Sequence, residues 1–204
     1  MRYLFFVLPP LLFLYAIVFL FIGLKAMIKN KPSVINSKWL FVMIFFSVLP
    51  YAIHSTIDLF EYGFKGPFGL ILSITPILFI VYVVFFYFII KGYSIYCVND
   101  IDFREAVISS LNNASVKFEE KMNKIELTEL NNELSIAFTS WVGAGMIKLK
   151  NKKDKVIFIN IIDGIKQFFK EKNIKAKKML AIFYVIFGIF FIILGAGSAM
   201  LFYK

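Results

Sequence analysis

Histidine and cysteine are nearly missing from this chain: His54 and Cys97 are the sole examples among 204 residues. One cysteine forms no intrachain disulfide. One cysteine and one histidine also cannot make up the thiolate and imidazole sets of a structural zinc site. With so little imidazole, Cys97 has no evident activating base, and it reads as a small core residue on an apolar strand. No Gly-rich phosphate loop, HExxH or GxSxG sequence occurs. Acidic residues are scarce too, 13 against 23 Lys and Arg, for a formal net charge of +10. Internal repeats and a low-complexity tail are also lacking. These absences exclude most recognisable catalytic designs, so no enzyme activity, cofactor or metal is expected.

What the chain has in excess is hydrocarbon. It is 60% hydrophobic, with 26 Phe, against about 45–50% apolar residues in a soluble domain. Four runs carry no charge: 3–24, 39–57, 66–90 and 179–203. Each is close to the ~20 residues needed to cross ~30 Å of hydrocarbon. The pattern predicts a multi-pass α-helical membrane protein with four transmembrane helices. The first run is too long for a signal peptide and is followed by no A-x-A site. Pro9-Pro10, Pro50 and Ser73-Ile74-Thr75-Pro76 interrupt these runs. Broken helices line transport pathways, which leaves a channel or small-transporter subunit as the alternative. The Phe-rich faces supply no polar stripe for a wide pore.

The basic residues orient the chain. Lys25, Lys29, Lys31 and Lys38 fill the first loop without an acid, and the second loop carries Asp58 and Glu61 against Lys65. Residues 170–178, "KEKNIKAKK", set Lys170, Lys172, Lys175, Lys177 and Lys178 directly before the last apolar run. Lys and Arg in short loops stay cytoplasmic. The pattern therefore predicts both termini outside and residues 91–178 inside. Richness in Lys, Asn, Ile and Phe suggests an AT-rich prokaryotic gene and hence an inner (plasma) membrane. The lysine run also suits anionic lipid headgroups, at ~1 kcal/mol per basic residue near the surface.

Residues 91–178 are different material, with 16 basic and 11 acidic residues. "YSIYCV" (93–98) reads as a strand. "NDIDFREAVISSLNNAS" reads as a helix, with Asp102 and Glu105 as a capping box and Phe103, Ala106, Val107 and Leu111 as its apolar stripe. "KIELTEL", "ELSIAFTSW" and "MIKLK" alternate as half-buried strands, parted by the Asn131-Asn132 turn and by Gly143 and Gly145. Phe158, Ile161, Ile162, Ile165, Phe168 and Phe169 then recur at helical spacing. The order β-α-β-β-β-α predicts an inserted cytoplasmic α+β domain, a ferredoxin-like sandwich. Its last helix is expected to run on through the lysines into the final span (179–204).

Few residues stand out as candidate sites. His54, Asp58 and Glu61 fall at i, i+4 and i+7, the spacing of a relay or metal site on one helix face. The same spacing suits polar residues where a helix leaves the membrane, which is the reading adopted. Gly188, Gly195 and Ala199 form a small-residue stripe for close helix contact, either between copies in a homo-oligomer or against the chain's own helices. Ser135, Ala137, Thr139 and Trp141 fall opposite the core face of their strand and make a candidate partner face. The basic hairpin "KLKNKKDK" reads as a solvated turn, and no direct nucleic-acid contact is expected.

In size and plan, four apolar runs with one inserted cytoplasmic domain, the chain resembles the small four-span membrane subunits of prokaryotic antiviral defence systems, Kiwa-type membrane proteins among them. The likeness is one of layout and carries no individual residue with it. It implies a non-enzymatic sensor or adapter that oligomerises in the inner membrane and signals to a soluble cytoplasmic partner.

Overall fold

A computed structural model describes residues 2–39, 41–42, 45–46, 49, 53, 56–57, 66–89, 92–121, 124–151 and 154–202. The helices are α1 (Arg2–Lys29), α2 (Gly66–Ile89), α3 (Asp100–Asn113), α4 (Lys155–Glu171) and α5 (Lys178–Phe202). Further helical residues lie between 37 and 57. The strands are β1 (Ser33–Asn36), β2 (Tyr93–Tyr96), β3 (Phe118–Lys121), β4 (Lys124–Leu127), β5 (Asn132–Thr139) and β6 (Ala144–Leu149). Two compact units result. A helical unit takes residues 1–20, 38–90 and 186–204, and a sheet unit takes 21–37 and 91–185.

The four-span expectation is corrected. Among the described residues two helices are long and apolar enough to cross a membrane, Pro9–Lys29 and Lys178–Met200. In the third run α2 is helical from Gly66 to Ile89 with Pro76 inside it, and its continuously described apolar stretch is Pro76–Phe88. The second run offers no continuous described helix of the required length.

In the sheet unit all neighbouring strands are antiparallel, in the order β1-β2-β6-β5-β4-β3. After β2 the chain crosses through α3 to the far edge, then returns as the meander β3-β4-β5-β6 to pair with β2. This six-stranded order replaces the expected β-α-β-β-β-α ferredoxin-like sandwich. Two strands account for the difference. "FEEK" (β3) has too few apolar residues to show alternation, and "SVIN" (β1) comes from the first loop and adds an edge beside β2.

The core lies on one sheet face. Ile95, Ile125, Leu134 and Ile147 meet Phe103, Val107 and Leu111 of α3 and Ile161, Ile162 and Ile165 of α4. Each fully buried side chain of this size contributes ~1.5–3 kcal/mol. Ser110 of α3 donates its hydroxyl to the Ile161 carbonyl of α4. Gly164 allows this approach, since a Cβ there would lie 2.5 Å from the Ser110 hydroxyl. The α3 cap is Asn99, whose side-chain oxygen accepts the Asp102 amide at 2.6 Å, so the expected Asp102–Glu105 box is displaced. The cap stands one turn earlier because the chain leaves β2 through the bend at Cys97 and enters the helix directly.

Asn132 was expected in a turn, but it opens β5 and is buried. Its Nδ2 donates to the Asn151 carbonyl (3.0 Å) and to Asp154 Oδ2 (2.7 Å). Its Oδ1 accepts the amides of Glu133 (2.8 Å) and Asn151 (3.0 Å). All of its hydrogen-bonding capacity is used, so a polar side chain is tolerated inside.

In the helical unit α1 and α5 run antiparallel. Phe19 lies 5.6 Å from Phe191 and 6.0 Å from Phe187, and Tyr15 lies 6.0 Å from Phe191. In the same unit Phe41 meets Tyr87 edge-on at 5.6 Å. The outer surface is apolar, with Ile17, Ile77, Ile80, Val81, Ile193 and Met200 all exposed.

Candidate functional site

The end of α1 and the start of α5 meet inside the sheet unit. The Ala176 amide donates to the Asn30 carbonyl at 3.2 Å, and the Lys177 amide to the Cys97 carbonyl at 3.0 Å. Asn30 and Cys97 both take left-handed backbone, φ 48° and 63°. Asparagine adopts this region at small cost. Cys97 therefore lies in a bend after β2, not on the strand that the sequence suggested. Burial pushes its thiol up to about 12, which leaves it protonated and unreactive at neutral pH. Helix contact is close here as well: a Cβ on Gly23 would stand 2.7 Å from the Ala181 carbonyl.

This junction gathers lysines. Lys25, Lys29 and Lys31 come from the α1 end, and Lys175, Lys177 and Lys178 from the α5 start. Among the described residues none of them pairs with a carboxylate. Elsewhere in the unit several lysines and Arg104 pair with carboxylates. Lys117 meets Glu129 at 3.1 Å, Lys121 meets Glu126 at 2.6 Å, and Glu133 meets Lys150 at 3.1 Å and Lys124 at 3.4 Å. Arg104 bridges Asp100 and Glu120, and Lys166 meets Asp163 at 2.6 Å. Such surface pairs stabilise by only ~0–1 kcal/mol each. The expected continuous helix through the lysines is corrected: α4 ends at Glu171, Asn173 takes φ 49°, and α5 starts at Lys178. Within this run Lys172 is engaged, pairing with Glu105 and lying 4.8 Å over the Phe168 ring. Lys170 is exposed in the last turn of α4.

The sheet face away from α3 and α4 exposes Ser135, Ala137 and Thr139 on β5 and Met146 on β6. Ala137 pairs in register with Met146, and Ser135 with Lys148. Trp141 was placed on the strand, but β5 ends at Thr139 and Trp141 lies in the following turn, 74% exposed. Its ring meets Phe183 of α5 edge-on at 6.5 Å. The Tyr184 hydroxyl donates to the Val142 carbonyl at 3.0 Å. Gly143 closes the turn at φ 56°, where an added Cβ would collide with Leu180. Leu180, Phe183 and Tyr184 went unnoticed as positioning residues, because an unbroken apolar run gives no sign of which members touch a distant turn.

The small-residue stripe is engaged within the chain. A Cβ on Gly188 would come 2.6 Å from Leu20 and 3.1 Å from the Ala16 carbonyl, and one on Gly195 3.3 Å from Phe13. Ala199 is half-buried. His54, Asp58 and Glu61 lie outside the described residues. Among the described residues no three His, Cys, Asp or Glu side chains gather as a metal site.

No protein-family model, curated protein or solved structure matches the chain. Nothing in these comparisons bears on the likeness to four-span antiviral subunits, and no role in defence is drawn from it.

Proposed function

We propose that this chain is a non-enzymatic, membrane-anchored adapter. α1 and α5 are its spans, and its sheet unit stands on the cytoplasmic side of a prokaryotic inner membrane. The open face of β5 serves a soluble protein partner. The observation that carries this reading is the junction at Asn30 and Ala176, where two long apolar helices bring together lysines that meet no carboxylate among the described residues. Lysines beside the ends of membrane helices mark the cytoplasmic side, and here both helices agree on that side. Most of the length of each span is left uncovered by the chain itself, so the apolar surface needs a covering, and hydrocarbon supplies one. The junction lysines suit anionic headgroups.

The test is retention and sidedness. The chain should remain in membranes through an alkaline carbonate wash. In a Cys97→Ser background, Lys175→Cys should react with an impermeant maleimide only after the cells are opened. Release by carbonate, or labelling of intact cells, overturns the anchor or its orientation. The partner is tested by a photo-crosslinking residue at Ala137 in living cells. A discrete adduct that is absent when the probe stands at exposed Lys155 supports the adapter reading, and no adduct at Ala137 removes it.

A further inference from the structure

We infer that the β5–β6 turn is a lipid-interface anchor, with the Trp141 ring seated at the boundary between headgroups and acyl chains. This inference rests on α5 being a membrane span. It moves Trp141 from the soluble-partner face, where the sequence put it, to the bilayer.

The argument is one of depth. α5 opens at Lys178 and is apolar from Met179 onward. The turn is held against its first two turns by three contacts: Gly143 on Leu180, the Trp141 ring on Phe183, and the Val142 carbonyl on the Tyr184 hydroxyl. Phe183 lies five residues beyond Lys178, ~7–8 Å along the axis at 1.5 Å per residue. The headgroup layer on each side of the hydrocarbon is of similar thickness, ~5–7 Å. If the Lys178 ammonium lies among phosphates, the turn beside Phe183 reaches the foot of that layer.

The chemistry agrees with the depth. The turn "SWVG" (140–143) carries no charge, so nothing in it resists partial burial. Tryptophan combines a large apolar ring with one N–H donor, and it is enriched at membrane–water interfaces. Met179, 85% exposed, and Ile182, 45% exposed, lie on the adjoining part of α5. In water these would be uncovered hydrophobes beside an uncovered tryptophan. At a bilayer surface they face acyl chains, while Lys175, Lys177 and Lys178 face phosphate. A soluble partner would have to reach Trp141 at the lipid surface itself, which favours the bilayer as occupant.

The chain has two tryptophans, Trp39 and Trp141, so Trp39→Phe leaves Trp141 as the sole emitter. The purified full chain is placed in phosphatidylcholine–phosphatidylglycerol vesicles, with brominated phosphatidylcholine as quencher. Trp141 should emit at short wavelength and be quenched most by bromines near the top of the acyl chain. Bromines near the bilayer centre should quench it less, and aqueous iodide least. A control chain lacking both native tryptophans carries Ile193→Trp, at an exposed position within α5. If bromolipid quenches the control while Trp141 responds only to iodide, the turn stands in water or against protein, and the inference fails with the span intact. If the control is not quenched either, the span reading fails and takes the inference with it.

Discussion

The Asn30 carbonyl accepts the Ala176 amide at 3.2 Å, a bond between residues 146 positions apart that brings the end of one long apolar helix to the start of another. Asn30 holds that carbonyl in place through a left-handed backbone of φ 48°. β-Branched residues meet a steric penalty there that glycine avoids. Asn30→Val should therefore cost ~1–3 kcal/mol, and Asn30→Gly much less. Thermal melts of the full chain in detergent, followed by circular dichroism, measure the difference. Equal melting of the two variants would show that the strain at Asn30 is immaterial.

The α5 glycines and Gly23 should give a graded series. A Cβ on Gly23 meets backbone atoms, one on Gly195 meets the Phe13 ring at 3.3 Å, and one on Gly197 meets nothing within 4 Å. Overpacking costs ~1–3 kcal/mol, whereas alanine in open helix gains ~1 kcal/mol over glycine. Melting temperature should rank Gly197→Ala highest, Gly195→Ala next and Gly23→Ala lowest. Because these contacts lie within one chain, the ranking should not change with protein concentration. A concentration-dependent loss confined to Gly195→Ala would return that residue to a contact between copies.

Asn132 tests the buried polar network. Asn132→Leu removes the side-chain acceptor of the Asn151 and Glu133 amides, two part-buried bonds, at ~0.5–1.5 kcal/mol for each bond lost. Denaturant titration should show a lower midpoint. Asn132→Asp keeps the acceptor oxygen but faces the Asp154 carboxylate, so its loss should shrink as the pH falls. A Leu variant as stable as the native chain would remove the network from the account of stability.

Glu133 governs part of the acid limb. Its hydrogen bond to Lys150, with the Lys124 charge nearby, holds the carboxyl below the usual carboxylate range. A depressed folded-state value stabilises fully above the unfolded value of about 4.3 and is lost as pH falls through the folded one. Lys121 acts in the opposite sense. Its bond to Glu126 raises it, so its contribution is complete below about 10.4 and is lost as pH rises through the folded value. Melting temperature against pH should fall less steeply on the acid side in Glu133→Gln than in the native chain. Parallel acid limbs would show that the Lys150 contact does not persist in solution.

Much of the sheet unit was legible because its signals are local. Phe103, Ala106, Val107 and Leu111 announce α3, and Phe158 to Phe169 announce α4; every one of these stripe residues is buried. The exposed positions Ser135, Ala137 and Thr139 follow from the two-residue period of a strand. Short strands defeated the same method. Four residues of "FEEK" or "SVIN" hold two side chains per face, too few for a period, and β1 is a strand only because β2 lies beside it.

The sequence by itself determined the materials: long apolar runs flanked by lysine, and before the last of them a charged segment whose stripes demand a core. Hydrophobic period and charge position are properties of neighbours along the chain, and they survive without knowledge of the fold. Tertiary structure alone decided which ends meet. It joined Asn30 to Ala176, set the Trp141 turn against Phe183, engaged Lys172 with Glu105 and spent Gly188 on Leu20 within the chain. Those pairings depend on the distance between surfaces after packing, and an apolar run of constant composition holds no record of which of its residues will face a neighbour.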